Sequence, residues 1–140
     1  MNARPSSAAD TPVTRHPWWQ PWAAIALFAF LLHFMWELLQ APFYAGMPQA
    51  GHWAAVLRCT RATVGDVGIA ELAYGTGVWL ARDRYWLGSP HRAVPFAAYL
   101  GVGLTVTVVL EWWNMHVRGS WAYSSAMPVF LGVGVSPLIQ

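Results

Sequence analysis

Four of the six acidic residues of this chain lie inside apolar stretches that are long enough to cross a lipid bilayer: Glu37, Asp66, Glu71 and Glu111. A charged carboxylate at the centre of a bilayer costs about 2.5–3.5 kcal/mol on insertion scales. Each of these side chains therefore requires a partner, a proton or a water-filled cavity. This requirement constrains the fold strongly, because it predicts helices that turn their acidic residues toward one another and away from lipid.

The composition agrees with a membrane location. Hydrophobic residues make up 56% of the chain and charged residues 10%, whereas soluble domains carry about 25% charged residues. We expect an all-α fold, a polytopic integral membrane helical bundle with three full transmembrane helices plus a short or truncated fourth. Residues 1–21 form a polar, proline-rich tail, and residues 22–140 form the single transmembrane domain. The net charge of +2 is too small to favour a nucleic-acid partner.

The predicted helices follow from length and from helix-breaking residues. Residues 22–40, 62–81 and 95–113 each approach the about 20 residues that a spanning helix needs. Residues 126–140 are too few and include Pro128, Gly132, Gly134 and Pro137, so a short or truncated fourth helix is favoured over a re-entrant segment. An interfacial helix over residues 49–59 is expected to lead into the second span.

The distribution of arginines predicts the orientation. Arg82 and Arg84 directly follow the second span, and with Arg4, Arg15 and Arg92 they outnumber the arginines of the other side. The positive-inside rule then places the N-terminus in the cytoplasm, and we expect a bacterial plasma membrane. The first apolar run is interpreted as a retained helix rather than a cleaved signal peptide. In this topology Glu37, Asp66 and Glu111 come from three helices and lie at similar depth, near the outer leaflet.

Helical spacing groups further polar residues with these acids. His33, Glu37 and Gln40 share one face of the first helix, at positions i, i+4 and i+7. Thr107, Glu111, Asn114 and Arg118 share one face of the third helix. The expected result is a polar pocket beneath one leaflet, and its walls are expected to include four aromatic residues: Trp36, Tyr74, Trp112 and Trp113.

Each acid also has a purely structural interpretation. Glu37 could reach water from a helix end, and Glu111 could form an ion pair with Arg118. Thr63 and Asp66 have the spacing of a capping box at a helix start. A buried, protonated Glu71 could bond to His33.

The functional interpretation favours acid–base chemistry. A carboxylic acid in an apolar pocket can stay protonated near neutrality and serve as a general acid. Glu111, Glu37 and Asp66 are the candidate catalytic residues, and indole rings would stabilise a carbocation formed from an alkene or epoxide. The candidate substrate-binding residues are Trp36, Gln40, Trp112, Asn114, Arg118, Trp121 and Tyr123. This chemistry requires no cofactor, and its substrate would be a membrane lipid or another lipid-soluble small molecule.

The C-terminal third carries a family likeness in four short motifs: Glu111-Trp-Trp-Asn-Met-His116, then Gly119-Ser-Trp121-Ala-Tyr123, then Met127-Pro128 and Gly132-Val-Gly-Val-Ser-Pro137. This series resembles small membrane enzymes of isoprenoid metabolism, of the lycopene cyclase domain or carotenoid hydratase type. The resemblance covers about 30 residues. It implies cyclisation or hydration of an isoprenoid, with a catalytic role for Glu111 and with Trp121 and Tyr123 shaping the pocket.

Two other functional classes remain open at the sequence level. The first is a metal-binding or proton-relay protein, in which His33 and Glu37 bind one divalent ion and His116, with Asp66 and Glu111, completes a mixed nitrogen–oxygen shell. The second is an accessory subunit of a larger membrane complex, whose tryptophans contact a partner protein. A homo-oligomer belongs to the same class of hypotheses.

Overall fold

A computed structural model describes residues 17–140 of the chain. These residues form α1 (Gln20–Gln40), α2 (His52–Ala81), α3 (Ala93–Trp113), the two-residue strands β1 (Val129–Phe130) and β2 (Val133–Gly134), and the one-turn helix α4 (Val135–Leu138). The prediction of a predominantly helical fold is confirmed. The predicted tail lies mostly outside the described residues, as do Arg4 and Arg15; α1 already includes Gln20 and Pro21.

The first and third helices have nearly the predicted bounds. Pro21 and Pro95 lie in the first turns of α1 and α3, where a missing backbone N–H costs nothing. A 3₁₀ turn over Ala41–Phe43, which includes Pro42, follows the end of α1 at Gln40. A π-helical turn over Asn114–Arg118 extends α3, and Gly119 ends it with a left-handed φ of 59°. Both helices, with these extensions, are long and apolar enough to cross a membrane.

The second helix is longer than predicted. It runs without interruption for 30 residues from His52, after the extended residue Gly51, so the separate interfacial helix over residues 49–59 is wrong. The capping-box interpretation of Thr63 and Asp66 is wrong for the same reason. Thr63 lies in mid-helix, where its hydroxyl donates to the Cys59 carbonyl oxygen at 2.9 Å. No residue between 52 and 62 is a proline or glycine, so nothing in the sequence ends the helix there.

The three long helices pack with α2 in the middle. Both α1 and α3 pack along α2 rather than along each other. At one end the Cys59 thiol contacts the Glu37 carbonyl oxygen at 3.6 Å, and at the other Trp22 packs edge-on against Tyr74. The helices α1 and α2 are therefore antiparallel. Since Tyr44, just after α1, contacts Glu111 near the end of α3, α1 and α3 run in the same direction.

The C-terminal segment is not the predicted fourth helix. Residues 126–134 form a turn and a two-residue hairpin in which Phe130 pairs with Val133, and helix is limited to Val135–Leu138. The hairpin turn has positive φ at Leu131 (50°) and Gly132 (83°). Two consecutive left-handed residues are incompatible with an α-helix, which explains the difference. The segment folds back against α3 and the end of α1.

Polarity in the described residues is inverted relative to a soluble domain. Large apolar side chains on all three long helices face outward, among them Leu32, Val64, Leu72, Leu104 and Val109. Gln40, Thr63, Glu111 and Ser136 are instead buried. A soluble domain of this size would bury its leucines and expose its carboxylates.

Candidate functional site

Two glutamine side chains, Gln40 and Gln140, connect the polar residues at the end of the bundle where α1 ends. The buried Gln40 donates to the Glu37 carboxylate at 2.5 Å and to the Gln140 carbonyl oxygen at 3.3 Å. Its own carbonyl oxygen accepts a bond of 2.8 Å from the Ser136 hydroxyl. Trp36 donates to the backbone carbonyl oxygen of Ser136 at 3.2 Å. The C-terminal segment is thereby attached to the last two turns of α1.

Gln140 carries this network to a histidine–aspartate pair. Its side-chain nitrogen lies 2.7 Å from Asp66 Oδ2 and 2.6 Å from His33 Nδ1. An amide nitrogen has two protons, so it can donate to Asp66 while it contacts the His33 ring. His33 Nδ1 and Asp66 Oδ2 are 4.0 Å apart, and both side chains are about one-quarter exposed. Residues from α1, α2 and the C-terminal segment therefore meet at one acid–base pair.

A cavity of about 210 Å³ adjoins this pair, in the space between α1 and α3. Asp66, Ile69, Ala70 and Ala73 of α2 form its floor at helical spacing i, i+3, i+4 and i+7. The wall from α3 contains Tyr99, Leu100, Gly103, Leu104 and Thr107, and the remaining lining comes from His33, Pro137, Leu138 and Gln140. The cavity is therefore apolar along most of its length and polar at the His33–Asp66 end.

The cavity opens through the side of the bundle. Leu100 and Leu104 line it and are 53% and 54% exposed on the outer surface. Because α1 and α3 pack along α2 and not along each other, we infer that the opening lies between these two helices.

Glu111 occupies a separate, buried position. Its Oε1 atom accepts hydrogen bonds from the hydroxyls of Tyr44 and Tyr123 at 3.2 and 2.8 Å and from the Trp121 indole at 3.3 Å. The Tyr123 hydroxyl in turn accepts the Gly134 N–H at 2.7 Å. The carboxylate is 6% exposed and does not line the cavity. Glu111 thus joins the connection after α1, the connection after α3 and the hairpin.

The two tyrosines of this cluster remain hydrogen-bond donors. Burial raises the pKa of Tyr44, and the neighbouring Glu111 carboxylate raises it further. Burial also raises the pKa of Tyr123, although the bond from the Gly134 N–H opposes this effect. Both phenols therefore stay protonated at neutral pH, which is the form that can donate to Glu111.

The structure brings some predicted site residues together and leaves others apart. His33, Trp36, Glu37, Gln40 and Asp66 converge on the C-terminal segment. Trp121 and Tyr123 contact Glu111 but not the cavity. Of the first group, His33 and Asp66 line the cavity and the others do not. Five further predicted residues also lie outside the lining: Trp112, Trp113, Asn114, His116 and Arg118.

Contacts explain these separate positions. The Asn114 amide donates to the Leu110 carbonyl oxygen at 2.8 Å, and His116 stacks on Trp112 and is exposed. Among the described residues Arg118 makes no ion pair with Glu111, so that interpretation is wrong. Tyr74 lies at the opposite end of the bundle, where its hydroxyl donates to the Arg84 carbonyl oxygen.

Two further hypotheses about polar residues can be compared with the geometry. The partners of His33 are Gln140 and Asp66, so a bond to Glu71 is wrong; Glu71 lies beside the backbone of Ala26. Within residues 17–140, no group of three or more His, Cys, Asp or Glu side chains has the geometry to hold a metal ion.

Sequence reasoning missed Gln140, Ser136 and Tyr44. Ser136 and Gln140 are four residues apart and flank Pro137, and this spacing of polar residues in an apolar segment was the available signal. Tyr44 follows Pro42 in a connection without a regular pattern, and nothing in its surroundings indicates a contact 67 residues away.

Comparisons with protein-family models, with curated proteins and with solved structures find no match to this chain.

Proposed function

We propose that this chain is a multi-pass membrane protein that takes a lipid-soluble molecule into the cavity beside His33 and Asp66 and performs acid–base chemistry on it. The observation that supports the proposal is the position of Asp66 at the polar end of an otherwise apolar cavity that opens sideways. A substrate dissolved in the bilayer would reach this cavity without crossing water. Of the three predicted catalytic carboxylates, Asp66 is the one in the cavity lining.

The helix directions support three membrane crossings. The helices α1 and α3 are both apolar enough to span and run in the same direction, so the chain between them has to cross back. At about 1.5 Å per residue, the 30 residues of α2 extend about 45 Å, against a hydrocarbon core of about 30 Å. Arg58 and Arg61 lie in the first third of α2, which would project beyond the outer leaflet, so α2 can span despite its charges.

The proposed chemistry uses the Asp66 carboxyl group of the cavity first as an acid and then as a base. Protonated Asp66 donates its proton to one carbon of an alkene, which leaves a carbocation and an Asp66 carboxylate. Water adds to the cation and gives up a proton to the Asp66 carboxylate, so the net reaction is addition of water to the double bond. Asp66 thereby returns to its protonated starting state, with His33 Nδ1 4.0 Å from its Oδ2 atom.

The same carboxylate supports an isomerisation. If no water reaches the cation, Asp66 removes a proton from a neighbouring carbon and the double bond moves. An isoprenoid, as the C-terminal resemblance implies, has the branched alkenes that form such cations readily.

Replacement of Asp66 by Asn tests this proposal. The Asn side-chain oxygen can still accept the Gln140 amide, so the fold should be retained, but Asn cannot donate a proton to carbon. We expect lipid extracts of membranes containing the wild-type protein to hold a product heavier by one water, or an isomer with a shifted retention time. Liquid chromatography with mass spectrometry should find this product absent for Asp66→Asn.

The exposed Asp83 provides the matched control. Its carboxylate accepts the Tyr85 N–H at 2.8 Å in the connection between α2 and α3, far along α2 from the cavity, and Asn can accept the same bond. Asp83→Asn should keep the product at the wild-type level. If Asp66→Asn protein is folded and forms as much product as wild type, Asp66 is not the acid.

A further inference from the structure

We infer that the cavity selects a molecule with an uncharged hydrogen-bonding head, such as an alcohol or ketone, and excludes phosphorylated and carboxylated lipids. This inference rests on the proposed function and specifies the substrate class of the same site. It follows from the charges, the hydrogen-bonding groups and the dimensions of the cavity.

The side chains of the cavity do not favour an anionic ligand. Among residues 17–140, Asp66 is the acidic residue of the lining, and the lining includes no Arg or Lys side chain. The six arginines of the described residues are all exposed: Arg58, Arg61, Arg82, Arg84, Arg92 and Arg118. Recognition of phosphate or carboxylate groups in proteins depends on such cations, so an anionic head would find no partner of opposite charge in the described lining.

The hydrogen-bonding groups instead match a neutral head. Asp66 offers a second carboxylate oxygen, Oδ1, beside the Oδ2 atom that Gln140 occupies. Thr107, on the α3 wall of the cavity, offers a hydroxyl that can both donate and accept. A ligand hydroxyl could therefore donate to Asp66 and accept from Thr107, and a carbonyl group could accept from Thr107 or from protonated Asp66.

The dimensions of the cavity imply a ligand that is only partly enclosed. Its volume of about 210 Å³ is below the roughly 300–1,000 Å³ of pockets that enclose a whole drug-sized ligand. The head and the first few carbons would lie between Asp66 and Gly103, where Ala70, Ala73 and Gly103 leave a narrow passage without large side chains. The rest of the chain would leave through the opening at Leu100 and Leu104 into the bilayer.

Two glycines of α3 provide a matched pair for testing the site. Gly103 lines the cavity and Gly101 does not. A Cβ atom placed on either residue would meet no atom within 4 Å, so the fold tolerates a side chain at both positions. Gly103→Leu should fill the passage, whereas Gly101→Leu should add an apolar group to the lipid-facing surface.

The experiment measures binding to the purified full-length protein in lipid nanodiscs by tryptophan fluorescence. The probes are farnesol, farnesyl phosphate and farnesoic acid, which share one chain and differ in the head. We expect farnesol to bind wild type and Gly101→Leu alike, at least tenfold more tightly than either anion. Gly103→Leu should weaken farnesol binding by tenfold or more.

The outcomes separate the inference from the proposed function. If an anionic probe binds as tightly as farnesol and Gly103→Leu abolishes that binding, the cavity is a ligand site but the inferred selection for neutral heads is wrong. If no probe binds, or if Gly103→Leu and Gly101→Leu bind all three probes as wild type does, the cavity does not hold such molecules and both proposals fail.

Discussion

At the scale of single residues, Glu111 and Asp66 have different surroundings although both are acids inside apolar helices. Glu111 accepts three hydrogen bonds at one oxygen atom and is buried. Asp66 faces a cavity and lies next to a histidine. Glu111 holds together the segments that follow α1 and α3. Asp66 lines a cavity that has room for a reacting molecule.

Substitutions at Glu111 test this structural role. Glu111→Leu removes the acceptor of Tyr44, Tyr123 and Trp121, and a buried donor without a partner costs about 1–3 kcal/mol. We therefore expect Glu111→Leu to lower the unfolding midpoint in detergent clearly, as measured by circular dichroism. Glu111→Gln keeps a carbonyl oxygen and should unfold close to wild type.

The activity of Glu111→Gln decides between the two carboxylates. In our account this variant still forms the product described for wild type. If folded Glu111→Gln protein forms no product, the assignment of the acid to Asp66 is contradicted. Glu111 would then be the catalytic residue, as the C-terminal resemblance implies.

The sequence alone identified the polar residues of the site better than it identified their partners. Helical spacing grouped His33, Glu37 and Gln40, because α1 has the predicted bounds. The hydrogen-bond network of the site also includes Gln140. The position of Gln140 depends on the preceding hairpin, which no periodicity in the sequence predicts. Helix patterns report which residues share a face, whereas contacts between residues 100 positions apart depend on the tertiary fold.

At the scale of elements, the end of the bundle opposite the site is fixed by close packing of α2 against an aromatic side chain. Trp86 is fully buried in the 3₁₀ turn between α2 and α3. A Cβ atom on Gly77 would lie 2.5 Å from its indole ring. The helix can therefore accommodate Trp86 only because residue 77 has no side chain.

Gly77→Ala should displace Trp86 and destabilise the protein by about 1–3 kcal/mol, the usual cost of overpacking. Gly68→Ala is the control on the same helix. Its Cβ would meet nothing within 4 Å, and replacing a helical glycine by alanine stabilises by about 0.5–1 kcal/mol. Thermal unfolding should rank Gly68→Ala at or above wild type and Gly77→Ala below it; equal midpoints for the two variants would contradict the packing.

The predicted helix bounds agree with the structure where hydropathy and prolines set them, and disagree where the conformation of a turn sets them. Length, apolarity and prolines place α1 and α3 to within two residues. For α2, the polar residues at its start lower the mean hydropathy, and the predicted helix therefore began too late. Charged residues do not interrupt a helix, so the helix is continuous from His52. For residues 126–134 the apolar composition favoured helix, but the left-handed backbone at Leu131 and Gly132 requires a hairpin.

At the scale of the whole molecule, parallel α1 and α3 fix the topology once both cross the membrane. The connection between α2 and α3 then lies on one side, and the segment after α3 lies on the other. The arginines Arg82, Arg84 and Arg92 favour the cytoplasm for the first of these. In the proposed arrangement the cavity opening would face the hydrocarbon core, because the cavity lies alongside α1 and α3.

Single cysteines test this topology in a Cys59→Ala background. A membrane-impermeant thiol reagent applied outside intact cells should label Ser125→Cys, which follows α3, and should not label Ser89→Cys, in the connection after α2. Ser89→Cys should react only after the membrane is permeabilised. Labelling of both positions from the same side would contradict three crossings.

The measurement that tests the central claim most directly is native mass spectrometry of the protein extracted gently from its own membrane, for wild type and Gly103→Leu. Our account predicts that wild type carries one lipid-soluble molecule and that Gly103→Leu, purified in parallel, does not. Wild-type protein that is bare, or a bound molecule retained equally by Gly103→Leu, would contradict the claim that the cavity between α1 and α3 is a binding site.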